Sequence, residues 1–72
     1  MQVELNSTTL ADMFKPSTLV EMANDLAEAL NTDGPYSLDC IEEERLYNTI
    51  RQAITEMMGE SFCILHVNRL SG

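Results

Sequence analysis

Basic residues are scarce in this sequence. Four Lys and Arg residues stand against twelve Asp and Glu residues, which gives a formal net charge of −8. Direct binding to a phosphate backbone requires clustered Lys and Arg side chains, whereas Lys15, Arg45, Arg51 and Arg69 are scattered along the chain. We therefore expect no direct contact with nucleic acid and none with an anionic membrane surface.

Glycine, cysteine and long apolar runs are also rare. Gly34, Gly59 and Gly72 are isolated, which excludes a glycine-rich phosphate-binding loop. Two cysteines are too few for a disulfide framework and fit a reducing compartment. No apolar run approaches the roughly 20 residues of a membrane span, and MQVELN does not have the pattern of a signal peptide. These absences predict a cytoplasmic protein.

Few residues are candidates for chemistry. Cys63 and His66 have a C-x-x-H spacing, but in a strand residues three apart point to opposite faces. They would then share neither a metal ion nor a catalytic hydrogen bond, and adding Cys40 gives at most three soft ligands where structural zinc usually has four. Catalytic carboxylates need a desolvated pocket, which a chain of 72 residues rarely contains. We expect a non-enzymatic protein without metal or cofactor.

Two stretches predict β-strands. MQVELN alternates between polar and apolar side chains, as a strand with one buried face does. Residues 61–68 form a short apolar run after the helix stop at Gly59, and we expect a strand with two apolar faces there. Two strands and a helical pair cannot easily cover both of these faces, so the pattern predicts that a second copy of the chain or a partner completes the sheet.

Three helices are predicted between the strands. A short helix covers STTLADMF, with Ser7 or Thr9 as its N-cap. A strongly amphipathic helix follows over residues 18–31, and a third helix begins after the N-cap Ser37. The turn NTDGPYS is short enough to make the two long helices antiparallel neighbours.

The predicted fold is therefore α+β, with the order β-α-α-α-β in one domain over residues 1–72. An antiparallel helical hairpin packs on a two-stranded sheet, which dimerisation could complete. The apolar residues that recur at helical spacing in the hairpin give the predicted core: Leu19, Met22, Leu26, Leu30, Leu46, Ile50, Ile54 and Met57.

The acidic residues are distributed unevenly. In LVEMANDLAEAL, residues 19–30, one narrow polar face carries Glu21, Asp25 and Glu28 and no basic residue. Like charges three and four residues apart on a helix repel each other by about 0.2–0.5 kcal/mol per pair. Because mixed charges would give the same solubility with less repulsion, this face is interpreted as a surface for a basic partner.

A second acidic group begins the third predicted helix, in LDCIEEER at residues 38–45. Asp39 and Glu43 fall within the arc that apolar residues occupy further along this helix. The helix macrodipole stabilises a carboxylate in the first turn by about 0.3–1 kcal/mol, which accounts poorly for Glu43 and Glu44. The predicted partner-binding residues are Glu21, Asp25, Glu28, Asp39, Glu43 and Glu44, and plain solvation of these acids is the alternative.

These patterns favour a small protein that docks an acidic helical face on a basic surface of a partner protein. If that surface normally holds DNA or RNA, carboxylates spaced somewhat like phosphates would occupy the site and inhibit the partner. Charge complementarity would speed association and make it depend on salt. In size and charge the chain resembles the small inhibitors that phages use against host enzymes, restriction and CRISPR systems included, although no motif carries this resemblance.

Two alternatives remain open. The chain could be a structural or accessory protein that pairs with its own copy through the strand at residues 61–68. Residues 1–58 are also similar to the ribbon-helix-helix DNA-binding domain, which implies a dimeric transcription factor whose Gln2, Glu4 and Asn6 enter the major groove. The negative charge opposes this reading, because the phosphate contacts of such a domain require basic residues.

Overall fold

The computed structural model describes residues 6–33 and 38–70 of the chain and, at residues 33 and 38–41, the backbone alone. Within these ranges the chain forms four α-helices and no strand. The prediction of an α+β fold with a two-stranded sheet is therefore wrong, and the predicted first strand lies almost entirely outside the described residues. The helices are α1 (Ser7–Met13), α2 (Pro16–Asp33), α3 (Leu38–Met58) and α4 (Glu60–His66).

The first helix begins one residue earlier than the sequence pattern predicts. Asn6 has an extended backbone, and its Oδ1 accepts a hydrogen bond from the backbone N–H of Thr9 at 2.9 Å. Asparagine is among the best N-cap residues because its side-chain oxygen satisfies a free N–H of the first turn. The helix ends where Phe14 becomes extended, and Pro16 then opens α2, where a fixed φ and a missing N–H do no harm.

The long helices α2 and α3 form the predicted hairpin. Only residues 34–37 separate them, so α3 returns along α2. The predicted core is confirmed. Leu19, Ile50 and Ile54 are buried, and the other five predicted residues are partly buried against them. Among the residues whose side chains are described, the buried core residues are Leu10, Leu19, Ala23, Ala27, Tyr47, Ile50, Ala53, Ile54, Cys63 and Val67.

Helix α3 is the centre of the structure, since α1, α2 and α4 each pack against it. Where α2 faces the core its buried residues include Ala23 and Ala27, and α3 contributes Ala53. Small side chains at a contact shorten the distance between helix axes. The molecule is flat, with extents of 36 × 31 × 15 Å. No helix in the described part of the chain is long and apolar enough to cross a membrane.

Residues 60–66 form the helix α4 where a strand was predicted. Gly59, with φ of 96°, ends α3 in a conformation that L-residues rarely adopt, and the chain then turns into α4. Helical geometry places Cys63 and the following Val67 one turn apart on a single buried side. A short apolar run does not distinguish helix from strand by periodicity alone. The helix also satisfies its backbone groups internally, whereas a terminal strand would expose an unpaired edge.

Candidate functional site

The acidic face, defined as Glu21, Asp25 and Glu28 of α2, points away from the core. All three side chains are exposed. At 100° per residue they lie roughly opposite the buried Ala23 and Ala27, which pack toward α3. The structure therefore brings these three predicted residues together on one solvent-facing row.

The charge density of the acidic face can be compared with that of DNA. Glu21 and Glu28 are about 10 Å apart along the helix axis, since each residue rises 1.5 Å. Three charges over this length leave about 5 Å between neighbours, against about 3.4 Å along one strand of DNA. The acidic face has about two thirds of the axial charge density of a single strand, and so it is too sparse to imitate a duplex by itself.

The acidic residues of α3 have different surroundings. Glu42 and Glu44 are exposed, and Glu43 is half-buried, as its position in the apolar arc predicts. The side chain of Asp39 lies outside the described residues. Both Glu42 and Glu44 line shallow depressions that Arg45 also lines. The α3 acids thus share their surface with a basic residue, and the acidic face of α2 does not.

One flank of α2 binds the C-terminal segment, residues 67–70, through two asparagines that the sequence analysis did not assign. Asn24 Nδ2 donates a hydrogen bond to the carbonyl oxygen of His66 at 3.0 Å, and its Oδ1 accepts one from the N–H of Asn68 at 2.7 Å. Asn31 Nδ2 donates to the carbonyl oxygen of Arg69 at 3.2 Å. The only signal in the sequence was the spacing of two amides seven residues apart beside the acidic row.

These hydrogen bonds fix the direction of the C-terminal segment. From Asn24 to Asn31 the helix advances about 10 Å, and from His66 to Arg69 an extended chain advances about the same distance. Val67 has extended backbone angles, with φ of −108° and ψ of 124°. The segment therefore runs parallel to α2, along the side of this helix that carries Asn24 and Asn31.

Tyr47 of α3 holds the same segment from the other side, and Arg51 lies beside the Tyr47 ring. Tyr47 is buried to 1% exposure, and its hydroxyl donates a hydrogen bond to the carbonyl oxygen of Asn68. The guanidinium carbon of Arg51 lies 5.7 Å from the centre of the Tyr47 ring, within the range of a cation–π contact. The Cys63 thiol donates to the Arg51 carbonyl oxygen at 3.7 Å, which ties α4 to α3.

The guanidinium of Arg51 is partly enclosed. Its pKa is raised above the ordinary value, chiefly by the adjacent Cys63 side chain and also by Tyr47, against the opposing effect of burial. Its Nε is buried without a hydrogen-bond partner in the described structure. An unpaired buried donor costs about 1–3 kcal/mol. Arg51 therefore remains charged and has unused hydrogen-bonding capacity.

The arginine depression is a shallow cavity of about 340 Å³ beside this cluster, lined by Tyr47, Asn48, Arg51, Arg69 and Leu70. It contains two of the four basic residues of the chain. None of these lining residues is acidic. In a protein of net charge −8, this is a local concentration of positive charge.

The outward side of α4 replaces the predicted apolar strand. Leu65 is 79% exposed and Ile64 is 48% exposed, while Cys63 faces the core. The predicted strand at residues 61–68 is therefore wrong, because the backbone of residues 60–66 is hydrogen-bonded within a helix. Dimerisation itself stays a prediction. What remains exposed is a small apolar area of two side chains.

Cys63 and His66 lie on a helix and not, as the sequence pattern predicted, on opposite faces of a strand. On α4 they are three residues apart, where side chains are neighbours. Their surroundings differ all the same. Cys63 is buried and forms no disulfide, and its thiol donates a hydrogen bond to the Arg51 carbonyl oxygen. His66 is exposed, and the centre of its ring lies 4.3 Å from that of Phe62. No group of three metal-binding side chains occurs among the described residues.

One of the three residues assigned to the major groove in the ribbon-helix-helix alternative has a structural contact in the fold. The side chain of Asn6 caps α1 and is hydrogen-bonded to Thr9. Gln2 and Glu4 lie outside the described residues. The chain matches no family model, no curated protein and no solved structure.

Proposed function

We propose that the chain is a non-enzymatic, cytoplasmic binding protein whose acidic face docks on a basic surface of a partner protein. The observation that carries this proposal is the row Glu21, Asp25 and Glu28, exposed opposite the core with no basic residue on the same face. The amides of Asn24 and Asn31 beside this row hydrogen-bond the C-terminal segment, whereas the three carboxylates make no such bond within the described part of the chain. Retaining three repelling charges is then explained by a surface outside the chain.

The partner surface of this proposal is narrow and basic. A face of about 10 Å with three charges matches a groove that accepts one nucleic-acid strand better than one that accepts a duplex. Occupying such a groove would inhibit the partner. The Debye length at 0.1 M salt is about 10 Å, similar to the length of the face, so added salt should weaken the encounter strongly.

Glu42, Glu43 and Glu44 have a secondary role in this proposal. They extend the negative potential near the start of α3, but Arg45 lies among them and Glu43 is half-buried. Asp39 stays a prediction, because its side chain is not described. We therefore assign the main contact to the three residues of α2.

The test uses two variants with the same net charge. The face variant carries Glu21→Gln, Asp25→Asn and Glu28→Gln. The control variant carries Asp12→Asn, Glu56→Gln and Glu60→Gln, which neutralise three exposed acids on α1, α3 and α4. Each protein is used to capture partners from a lysate of the source organism or its host at low and high salt, followed by mass spectrometry.

The expected result is a basic, nucleic-acid-handling protein that wild type and the control variant capture at low salt and the face variant does not. A single-stranded oligonucleotide should compete for this capture. If the face variant captures the same protein as well as wild type does, the acidic face is only a solvated surface. If both variants lose it equally, net charge and not the face is responsible.

A further inference from the structure

The arginine depression collects positive charge where the rest of the chain is negative. Arg51 reaches it from α3, and Arg69 reaches it from the C-terminal segment, so the two are 18 residues apart in sequence and meet only in the fold. Tyr47, Asn48 and Leu70 complete the lining. Two positively charged residues that line one small cavity favour an anion there, because it offsets the repulsion between their charges.

The hydrogen bonds around the C-terminal segment hold Arg69 at this place. Asn31 donates to the Arg69 carbonyl oxygen at 3.2 Å, and Tyr47 donates to the carbonyl oxygen of the preceding Asn68. Tyr47 also supports Arg51, whose guanidinium carbon lies 5.7 Å from its ring centre. One buried tyrosine thus fixes both the segment that carries one arginine and the side chain of the other.

We infer that the arginine depression binds a small dianionic oxyanion, either free phosphate or the phosphate group of a monoester. Guanidinium groups recognise phosphate because their planar N–H pairs match two oxygens at once. Asn48 supplies a neutral amide that can also donate, and Leu70 gives one apolar edge. A volume of about 340 Å³ admits a small ligand of this kind.

This site differs from the acidic face in charge, in residues and in ligand. The acidic face belongs to α2, and the arginine depression belongs to α3 and the C-terminal segment. The inference goes beyond the proposed function and does not depend on it. A partner that docks on the acidic face could be absent while phosphate still binds, and the reverse also holds.

The experiment is a titration of the full ¹⁵N-labelled chain with inorganic phosphate, followed by NMR at the Nε–Hε signals of the arginines. Sodium chloride at matched ionic strength is the reference. The test variant is Arg69→Gln, because Arg69 is exposed and its backbone, not its side chain, makes the hydrogen bond to Asn31. The matched control is Arg45→Gln, an exposed arginine that lines other depressions.

We expect saturable shifts of the Arg51 and Arg69 signals with phosphate and not with chloride. Arg69→Gln should weaken phosphate binding by about tenfold or more, and Arg45→Gln should change it by less than about twofold. Backbone spectra report that each variant stays folded. A second titration with phosphoserine shows whether a monoester binds at least as tightly as the free ion, which would identify a larger phosphorylated ligand as the source.

Any of four results would overturn the inference. The first three are an absence of saturation at millimolar phosphate, equal shifts with chloride, and unchanged affinity in Arg69→Gln. Equal weakening by Arg45→Gln would also overturn it, because a general loss of positive charge would then explain the binding. None of these results bears on the acidic face.

Discussion

Two polar rows run side by side along α2, and they differ in what they contact. Asn24 and Asn31 hold the C-terminal segment, whereas Glu21, Asp25 and Glu28 face solvent. The chemistry explains the division. An amide donates and accepts, so Asn24 can bond both a carbonyl oxygen and an N–H of a passing backbone, while an ionised carboxylate can only accept.

The polar residues of one small helix therefore serve two purposes, and only some of them are a solvated surface. Asn24 and Asn31 contribute to folding, and replacing them should lower the stability. Neutralising the acidic face should not lower the stability and should even raise it, because the like charges then cease to repel each other. A row kept at the expense of stability is the expected property of a binding surface.

The largest effect on stability is expected for Asn24→Asp. This change removes the donor to the His66 carbonyl oxygen and places a negative charge against it. We expect a loss of about 2 kcal/mol in the free energy of unfolding, measured by denaturant titration. The neighbouring change Asp25→Asn is the matched control and should alter stability by less than about 0.5 kcal/mol. Equal effects would remove the distinction between the two rows.

A smaller loss is expected for Tyr47→Phe. The ring that supports Arg51 is kept, and only the hydroxyl that bonds the Asn68 carbonyl oxygen is removed. The free energy of unfolding should fall by about 1 kcal/mol. Hydrogen exchange should become faster at residues 67–70 and stay unchanged in the centre of α3. An unchanged exchange rate in this segment would show that the hydroxyl does not hold it.

The change Asp25→Lys should increase stability at low salt. Asp25 lies four residues after Glu21 and three before Glu28, so a lysine there replaces two repulsions by two attractions. We expect a gain of roughly 0.5–1 kcal/mol at low ionic strength. At 1 M salt, where the Debye length is about 3 Å, the gain should disappear. A loss of stability at low salt would mean that Asp25 has a structural partner.

The smallest effect is expected for Leu65→Lys, on the outward side of α4. Leu65 is 79% exposed, so the substitution should change the free energy of unfolding by less than about 0.5 kcal/mol. Sedimentation should give the same mass for wild type and variant. A dimeric wild type and a monomeric variant would instead support self-association through α4, which would then be a second binding surface of the molecule.

The hairpin could be predicted from sequence because its signals were long and consistent. Apolar residues recur at helical spacing over several turns in both α2 and α3, and every residue of the predicted core is buried or packed against the core. The acidic face could be predicted for the same reason, since a regular helix fixes which side chains share a side.

The C-terminal region could not be predicted because its signals were short or distant. The run SFCILH in α4 is compatible with a strand or a helix, and the packing of Cys63 and Val67 against the core decides between them. Asn24 bonds residues that are 42 and 44 positions further along the chain, and Tyr47 bonds a residue 21 positions further along. Local patterns contain no information on contacts of this range, and so the arginine depression was also missed.

The decisive measurement for the acidic face is the association rate of the purified captured partner with wild type, the face variant and the control variant across a range of ionic strength. Electrostatic steering by the acidic face predicts that the face variant associates at least about tenfold more slowly at low salt, while the control variant stays near wild type. The three rates should converge at high salt. Equal slowing of both variants, or no slowing of the face variant, would contradict the claim that Glu21, Asp25 and Glu28 are the docking surface.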